Sequence, residues 1–362
     1  MYSAVMVAAG QTFRKGVEPD GTRSSEVPIV VLPKNAVNVG QFQLTPKDGG
    51  AYHRSMGTSS DRSTPMIIAL VVATRPRQWT KNLLVYFALF FTAQATWDLA
   101  EPGPALELFG KTTLAFLLFS MLSGAVYLVN DIFDVDRDRL HPKKRSRPIP
   151  SGALSVPIAW SSAAILAAVA IGFAVVLEPQ FGWVAIGYLA TMLAYSTFLK
   201  RLVIVDVFAI SVGFVLRAVG GAAVLQVPVS PWLYICTGLG ALFMALSKRR
   251  SEIEAAGDAA GLQRETLQWY TKPLLDQFIA IVAPSTLVAY TLYTFTAPNL
   301  PENHAMMLTI PFVGYGLFRY LYLVHVRNLG ESPEDIFVTD VPLIVCVAFW
   351  LSTAVTVLMV WG

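Results

Sequence analysis

From about residue 64 onward the chain alternates long apolar runs with short polar segments, and most of the runs are long enough to cross a bilayer. A transmembrane helix needs about 20 mostly apolar residues. On that criterion nine spans are predicted, at 82–96, 112–130, 154–177, 181–199, 202–224, 231–247, 273–297, 306–326 and 340–361. The first is short, and the apolar stretch 67–74 ahead of it predicts an interfacial helix. One such run could be the buried core helix of a soluble protein. Nine in succession predict an all-α, polytopic membrane protein, with nine transmembrane helices in one bundle over residues 64–362.

Residues 1–63 are rich in Gly, Ser, Thr, Pro and Asn, lack a sustained apolar period, and predict a disordered polar tail. No Lys or Arg precedes the short apolar stretch Met1 to Ala9, so the tail does not read as a signal peptide. Met56 and Met66 each offer an alternative start, directly before the first basic motif.

Charge orients the bundle. The approach to the first span and the segments after spans 2, 4, 6 and 8 hold 17 Lys or Arg, whereas the segments after spans 1, 3, 5 and 7 hold only Lys111. Loops rich in Lys and Arg stay cytoplasmic. This predicts a multi-pass protein of the cell membrane with its N-terminus inside and its C-terminus outside. Charged residues are 14% of the chain against about 25% in soluble domains, which excludes an ordinary soluble enzyme. Cys236 and Cys346 both lie in apolar runs, so a disulfide framework or cysteine metal site is excluded as well.

Chemistry concentrates where the second span ends, in Asn130-Asp131-Ile132-Phe133-Asp134-Val135-Asp136-Arg137-Asp138. If the helix continues, Asp131, Asp134 and Asp138 share a face, and like charges so spaced repel. A cation relieves that repulsion, and carboxylates without His or Cys suit Mg²⁺. Because Mg²⁺ prefers one or two carboxylates plus substrate phosphates, the ligand it implies is a diphosphate. The competing reading is a solvated acidic helix end paired with Arg137 and Arg139. Six of the eleven residues 137–147 are basic, with Lys143 and Arg145 in their midst. Such a run suits phosphate groups or anionic lipid headgroups.

Further charged candidates stand at the same membrane face. Arg75, Arg77 and Lys81 flank Trp79 before the first span, and Tyr195 and Lys200 close the fourth. Asp206 opens the fifth, near enough to the mouth to join a cation site, and Lys248, Arg249 and Glu252 close the sixth. Arg217, three turns deeper in the fifth span, suits a structural hydrogen-bonding role. Gly110-Lys111-Thr112 lacks the earlier glycine of a P-loop, and the four histidines share no metal-ligand spacing.

With nine spans and the N-D-x-x-D-x-x-x-D motif at Asn130, Asp131, Asp134 and Asp138, residues 66–362 resemble the UbiA-type intramembrane prenyltransferase superfamily. Its members typically transfer a polyprenyl group from a diphosphate to an aromatic acceptor, using two acidic motifs that hold Mg²⁺. Here Ser247-Lys248-Arg249-Arg250-Ser251-Glu252 stands where the second acidic motif is expected. That departure, with Arg75-Pro76-Arg77-Gln78-Trp79, Tyr127-Leu128-Val129-Asn130-Asp131, His141-Pro142-Lys143-Lys144-Arg145 and Pro333-Glu334-Asp335-Ile336, resembles the decaprenyl-phosphate phosphoribosyltransferase branch of mycobacteria. The resemblance implies transfer of 5-phosphoribose from phosphoribosyl pyrophosphate to a polyprenyl phosphate lipid, for cell-wall arabinan precursors.

On this reading Asn130, Asp131, Asp134 and Asp138 are catalytic, the three aspartates hold Mg²⁺, and Lys248, Arg249, Lys200, Lys143 and Arg145 bind the donor phosphate. Arg75, Arg77 and Lys81 bind the lipid phosphate, with Asp206, Glu252 and Tyr195 as further candidates. The partners are both substrates and the membrane, not nucleic acid; a homo-oligomer is compatible. Two other functions remain open: a polyprenyl transferase acting on an aromatic or quinone-precursor acceptor, and a transporter or lipid-binding scaffold.

Overall fold

The computed structural model describes residues 65–93, 96–97, 102–142, 144–256, 265–297 and 300–361, which fall within the compact unit Asp61–Gly362. The predicted tail at 1–63 lies outside the described residues. No β-strand occurs among those described. The helices are α1 (Met66–Ala73), α2 (Phe87–Phe91), α3 (Pro102–Phe133), α4 (Val135–Leu140), α5 (Val156–Leu177), α6 (Pro179–Thr197), α7 (Val205–Val224), α8 (Pro231–Ala256), α9 (Lys272–Thr296), α10 (Ile310–His325), α11 (Pro333–Thr339) and α12 (Val341–Trp361). A 3₁₀ segment, Pro76–Tyr86, joins α1 to α2.

Proline opens α5, α6, α9 and α10 within their first two positions, where its missing N–H is an orphan in any case. Thr271 caps α9, its hydroxyl accepting from the Leu274 amide at 3.3 Å. By length and apolarity six helical stretches can cross a membrane: 103–133, 156–177, 205–224, 272–296, 305–325 and 341–361. The helices α6 and α8 cover two more of the predicted spans.

The first predicted span is corrected. Residues 82–96 do not form one α-helix: the 3₁₀ segment runs to Tyr86, α2 lasts five residues, and the chain turns at Thr92. Asn82 on this segment is fully buried and bonded inside the bundle, whereas Leu83 beside it is exposed. The segment lies so close to α7 that a Cβ on Gly221 would overlap the Val85 carbonyl oxygen.

Consecutive long helices pack against each other: α3 on α5, α5 on α6, α6 on α7, α7 on α8, and α8 on α9. Two clusters form most of the core. One surrounds Phe119, Phe181 and Tyr188 between α3, α6 and α7. The other surrounds Phe243, Leu275 and Tyr320 between α8, α9 and α10. The short helix α1 buries Ala69 and Ala73 and exposes Ile67, Ile68, Val71 and Val72, the division expected of a helix lying at an apolar boundary.

Candidate active site

The ends of α3, α6 and α8, the middle of α7 and the 3₁₀ segment surround a cavity of about 1410 Å³. Its wall is polar on one side, with Asp131, Asp134, Lys200 and Lys248, and apolar on the other, with Leu84, Phe87, Val347 and Trp350.

The acidic motif is not one straight helix. The α-helical stretch ends at Phe133, Asp134 adopts φ −100° and ψ 6°, and α4 resumes at Val135. Amide bonds from Asp134 to the Asn130 carbonyl (3.0 Å) and from Asp138 to the Asp134 carbonyl (2.8 Å) carry the helical register across the break. Asp131 and Asp138 are therefore both buried, at 1% and 2% exposure, while Asp134 is half-buried.

Each carboxylate is met by a cation. Arg147 donates from one nitrogen, Nη1, to Asp131 Oδ1 at 3.2 Å and to Asp138 Oδ2 at 2.6 Å. Arg75 also pairs with Asp131, and its guanidinium lies 4.9 Å from the centre of the Tyr127 ring. Lys144 Nζ approaches Asp138 Oδ1 at 3.8 Å. Lys200 straddles both oxygens of Asp134, at 2.8 and 2.9 Å, and donates to the side-chain oxygen of Asn130 at 3.4 Å. Among the described residues no three His, Cys, Asp or Glu side chains make a metal cage of their own. The all-oxygen donors present fit a Mg²⁺ ion that completes its shell with phosphate oxygens and water.

A second cluster backs the wall. Arg249 is fully buried, donating from Nε to Asp206 (2.9 Å), from Nη1 to Glu252 (2.6 Å) and from Nη2 to the Tyr195 hydroxyl (3.4 Å). Asp206 does not reach the cavity: its other oxygen accepts from the Tyr270 hydroxyl at 2.8 Å, which itself accepts from the Ile204 amide at 2.7 Å. Burial, reinforced by the Asp206 carboxylate, holds the Tyr270 phenol neutral above the ordinary tyrosine range. Deeper in, Arg217 donates to Asn82 Oδ1 (2.7 Å), the Gly213 carbonyl (2.8 Å) and the Tyr188 hydroxyl (2.7 Å), tying α7 to the 3₁₀ segment and α6.

Of the residues singled out in the sequence, Asn130, Asp131, Asp134, Asp138, Lys200, Lys248, Arg249, Glu252, Tyr195, Arg75 and Lys81 line this one cavity. Lys81 is bonded to Gln78. Arg77 and Arg145 are exposed and absent from its wall, and Lys143 lies outside the described residues. Sequence reasoning missed Arg147 as the bridge between two carboxylates, although it stands in the basic run, because no spacing rule says which cation folds back. It also missed Tyr270, which no motif marks.

Such a bundle, with an acidic motif and cations around a cavity walled half by apolar side chains, has room for a ligand with a charged head and an apolar tail. The sequence model of the UbiA prenyltransferase family matches residues 83–341, and the chain belongs to that family. It is 33% identical over 293 residues to a decaprenyl-phosphate phosphoribosyltransferase of Mycobacterium tuberculosis, covering 80% of this chain and 93% of the relative. The enzyme of the same description from Corynebacterium glutamicum is 30% identical, over 78% of this chain and 84% of its own. In structure, a UbiA homolog from Archaeoglobus fulgidus bound to GPP and Mg²⁺ superposes with a TM-score of 0.62 at 19% identity, over 81% of this chain and all of that one.

Proposed function

We propose that the protein transfers 5-phosphoribose from phosphoribosyl pyrophosphate to a polyprenyl phosphate, releasing diphosphate, in the supply of cell-wall arabinan precursors. The observation that carries this reading is the charge of the site. Where a second acidic motif would offer carboxylates to a second metal, Lys248 lines the cavity instead, and Arg249 absorbs the carboxylates of Asp206 and Glu252. One acidic cluster facing several cations suits a donor with a phosphate beyond its diphosphate, and an acceptor that is itself a phosphate.

Asp131 and Asp134, with Asp138 behind them, are the residues that would hold Mg²⁺, which when bound neutralises charge on the diphosphate. As the bond from C1 to the diphosphate oxygen lengthens, the ribose gains positive charge, which neighbouring carboxylates stabilise. Lys200 and Arg147, already seated on those carboxylates, orient them and meet the leaving oxygens. Lys248 takes the 5-phosphate, with Arg249 fixing that wall from behind. Arg75 and Lys81 face the lipid phosphate, which is anionic at pH 7 and needs no strong base. The work is positioning and electrostatics, and a single displacement inverts C1. The prenyl tail leaves along Leu83, Phe87, Ile344 and Val347, between the 3₁₀ segment with α2 and the last helix α12. The face bearing the motif is the cytoplasmic one, as the positive-inside bias requires.

Incubating the purified protein with radiolabelled phosphoribosyl pyrophosphate and polyprenyl phosphate tests this directly. Label appearing in the organic phase supports it. Turnover of a polyprenyl diphosphate with an aromatic acceptor, and none with the phosphoribosyl donor, refutes it.

A further inference from the structure

Arg217 presents a problem of charge. It is 5% exposed, sits mid-helix in α7, and lines the cavity. Its partners are an amide oxygen, a backbone carbonyl and a phenol, with the Tyr188 and Phe214 rings 4.7 and 5.3 Å from its guanidinium carbon. Among the described residues no carboxylate is paired with it. Arg249, buried more deeply still, has two. A guanidinium carries five N–H donors, and three bonds account for three of them. An ionised group taken out of water is costly unless a counter-charge meets it, and an arginine does not escape by losing its proton.

Arg217 is not isolated from the rest of the site. Asn82, which grips its Nε, follows Lys81 in the 3₁₀ segment, and Lys81 lines the same cavity. Ser123 and Tyr188 add hydroxyls to this part of the wall, bonded to each other at 3.2 Å. Ser123 lies eight residues before Asp131 on α3, about 12 Å deeper along the helix. Met192 and Phe214 supply apolar surface beside these hydroxyls.

We propose that Arg217 forms a second anion-binding point for a phosphate group in the deep half of the cavity, separate from the carboxylate cluster at its mouth. The inference deepens the functional reading above and rests on it. Of the two phosphates that reading brings to the cavity outside the diphosphate, the apolar surface of Met192 and Phe214 beside Arg217 favours the lipid's.

The test compares binding of a polyprenyl phosphate and the matching neutral polyprenol to the full-length protein in nanodiscs, by native mass spectrometry, alongside ribose 5-phosphate as the soluble probe. The wild type is expected to prefer the lipid phosphate by about tenfold or more, the value of a charge-assisted hydrogen bond. R217Q should lose most of that preference, while R217K keeps it and ribose 5-phosphate binding stays unchanged. The ratio is read on folded, lipid-bound protein only, so a lower yield of R217Q does not mimic the result. If R217Q instead loses ribose 5-phosphate and keeps the lipid preference, the phosphate site stands and its occupant is the sugar. Preference and ribose 5-phosphate binding both intact in R217Q overturn the proposal. A wild type that does not distinguish lipid phosphate from alcohol overturns the functional reading as well.

Discussion

Replacing Arg249 with methionine is the sharpest perturbation of the wall behind the site. Its side chain is 2% exposed and joins Asp206, fully buried, to Glu252 at 22%. R249M takes the guanidinium away from the buried Asp206 carboxylate, which keeps the Tyr270 hydroxyl, and removing one partner of a buried pair costs about 3–5 kcal/mol. D206N is milder: Arg249 keeps Glu252 and Tyr195, whereas the single asparagine oxygen can accept from Tyr270 or from Arg249 but not both, a loss of about 1.5–3 kcal/mol. The double variant R249M/D206N removes the stranded carboxylate as well, and Glu252 reaches the cavity. Its stability is therefore expected above that of R249M alone. Denaturant unfolding in mixed micelles, followed by tryptophan fluorescence, measures all three. A double variant less stable than R249M, or an R249M as stable as D206N, refutes the charge accounting.

D131N and D134N are each expected to lower turnover by at least about 100-fold, the scale of losing a preorganised electrostatic contact, without loss of folded protein; near-normal rates in both would remove the motif from the chemistry. K200M unseats Asp134 and Asn130 together, so steady-state kinetics should show kcat falling and the phosphoribosyl donor KM rising, with the lipid KM unchanged. Excess chelator is expected to abolish transfer and added Mg²⁺ to restore it, read in the same radiolabel assay; undiminished activity in chelator would refute the metal assignment. G221A forces a methyl group into the Val85 carbonyl and should destabilise by about 1–3 kcal/mol or more. In the same micelle unfolding assay G240A, with open space around it, should not.

The bundle was legible because burial in lipid demands long apolar runs, and those runs start at prolines that the structure places at helix N-termini. The exception at 82–96 is instructive. Hydropathy does not distinguish Leu83, which lines a cavity, from a leucine facing lipid. It also gives no hint that Asn82 is held by an arginine 135 positions later in the chain. The acidic motif was legible as a local spacing. Its division into two buried carboxylates and one half-buried one was not, since that depends on the break at Asp134. Arg249 looked like a phosphate ligand in a run of cations; three-dimensional packing spends it on Asp206, Glu252 and Tyr195. Pairings between distant helices leave no periodicity to read.

The left-handed backbone at Arg75, φ 55° and ψ 67°, marks the junction where α1 ends and the 3₁₀ segment begins. An L-residue with a Cβ is disfavoured there by about 1–2 kcal/mol, and glycine or asparagine would ease the bend. Neither could carry a positive charge to Asp131 or lay a flat cation over Tyr127. Position 75 thus answers to two demands that pull its amino-acid choice in opposite directions, and substitutions that relax the hinge forfeit the charge.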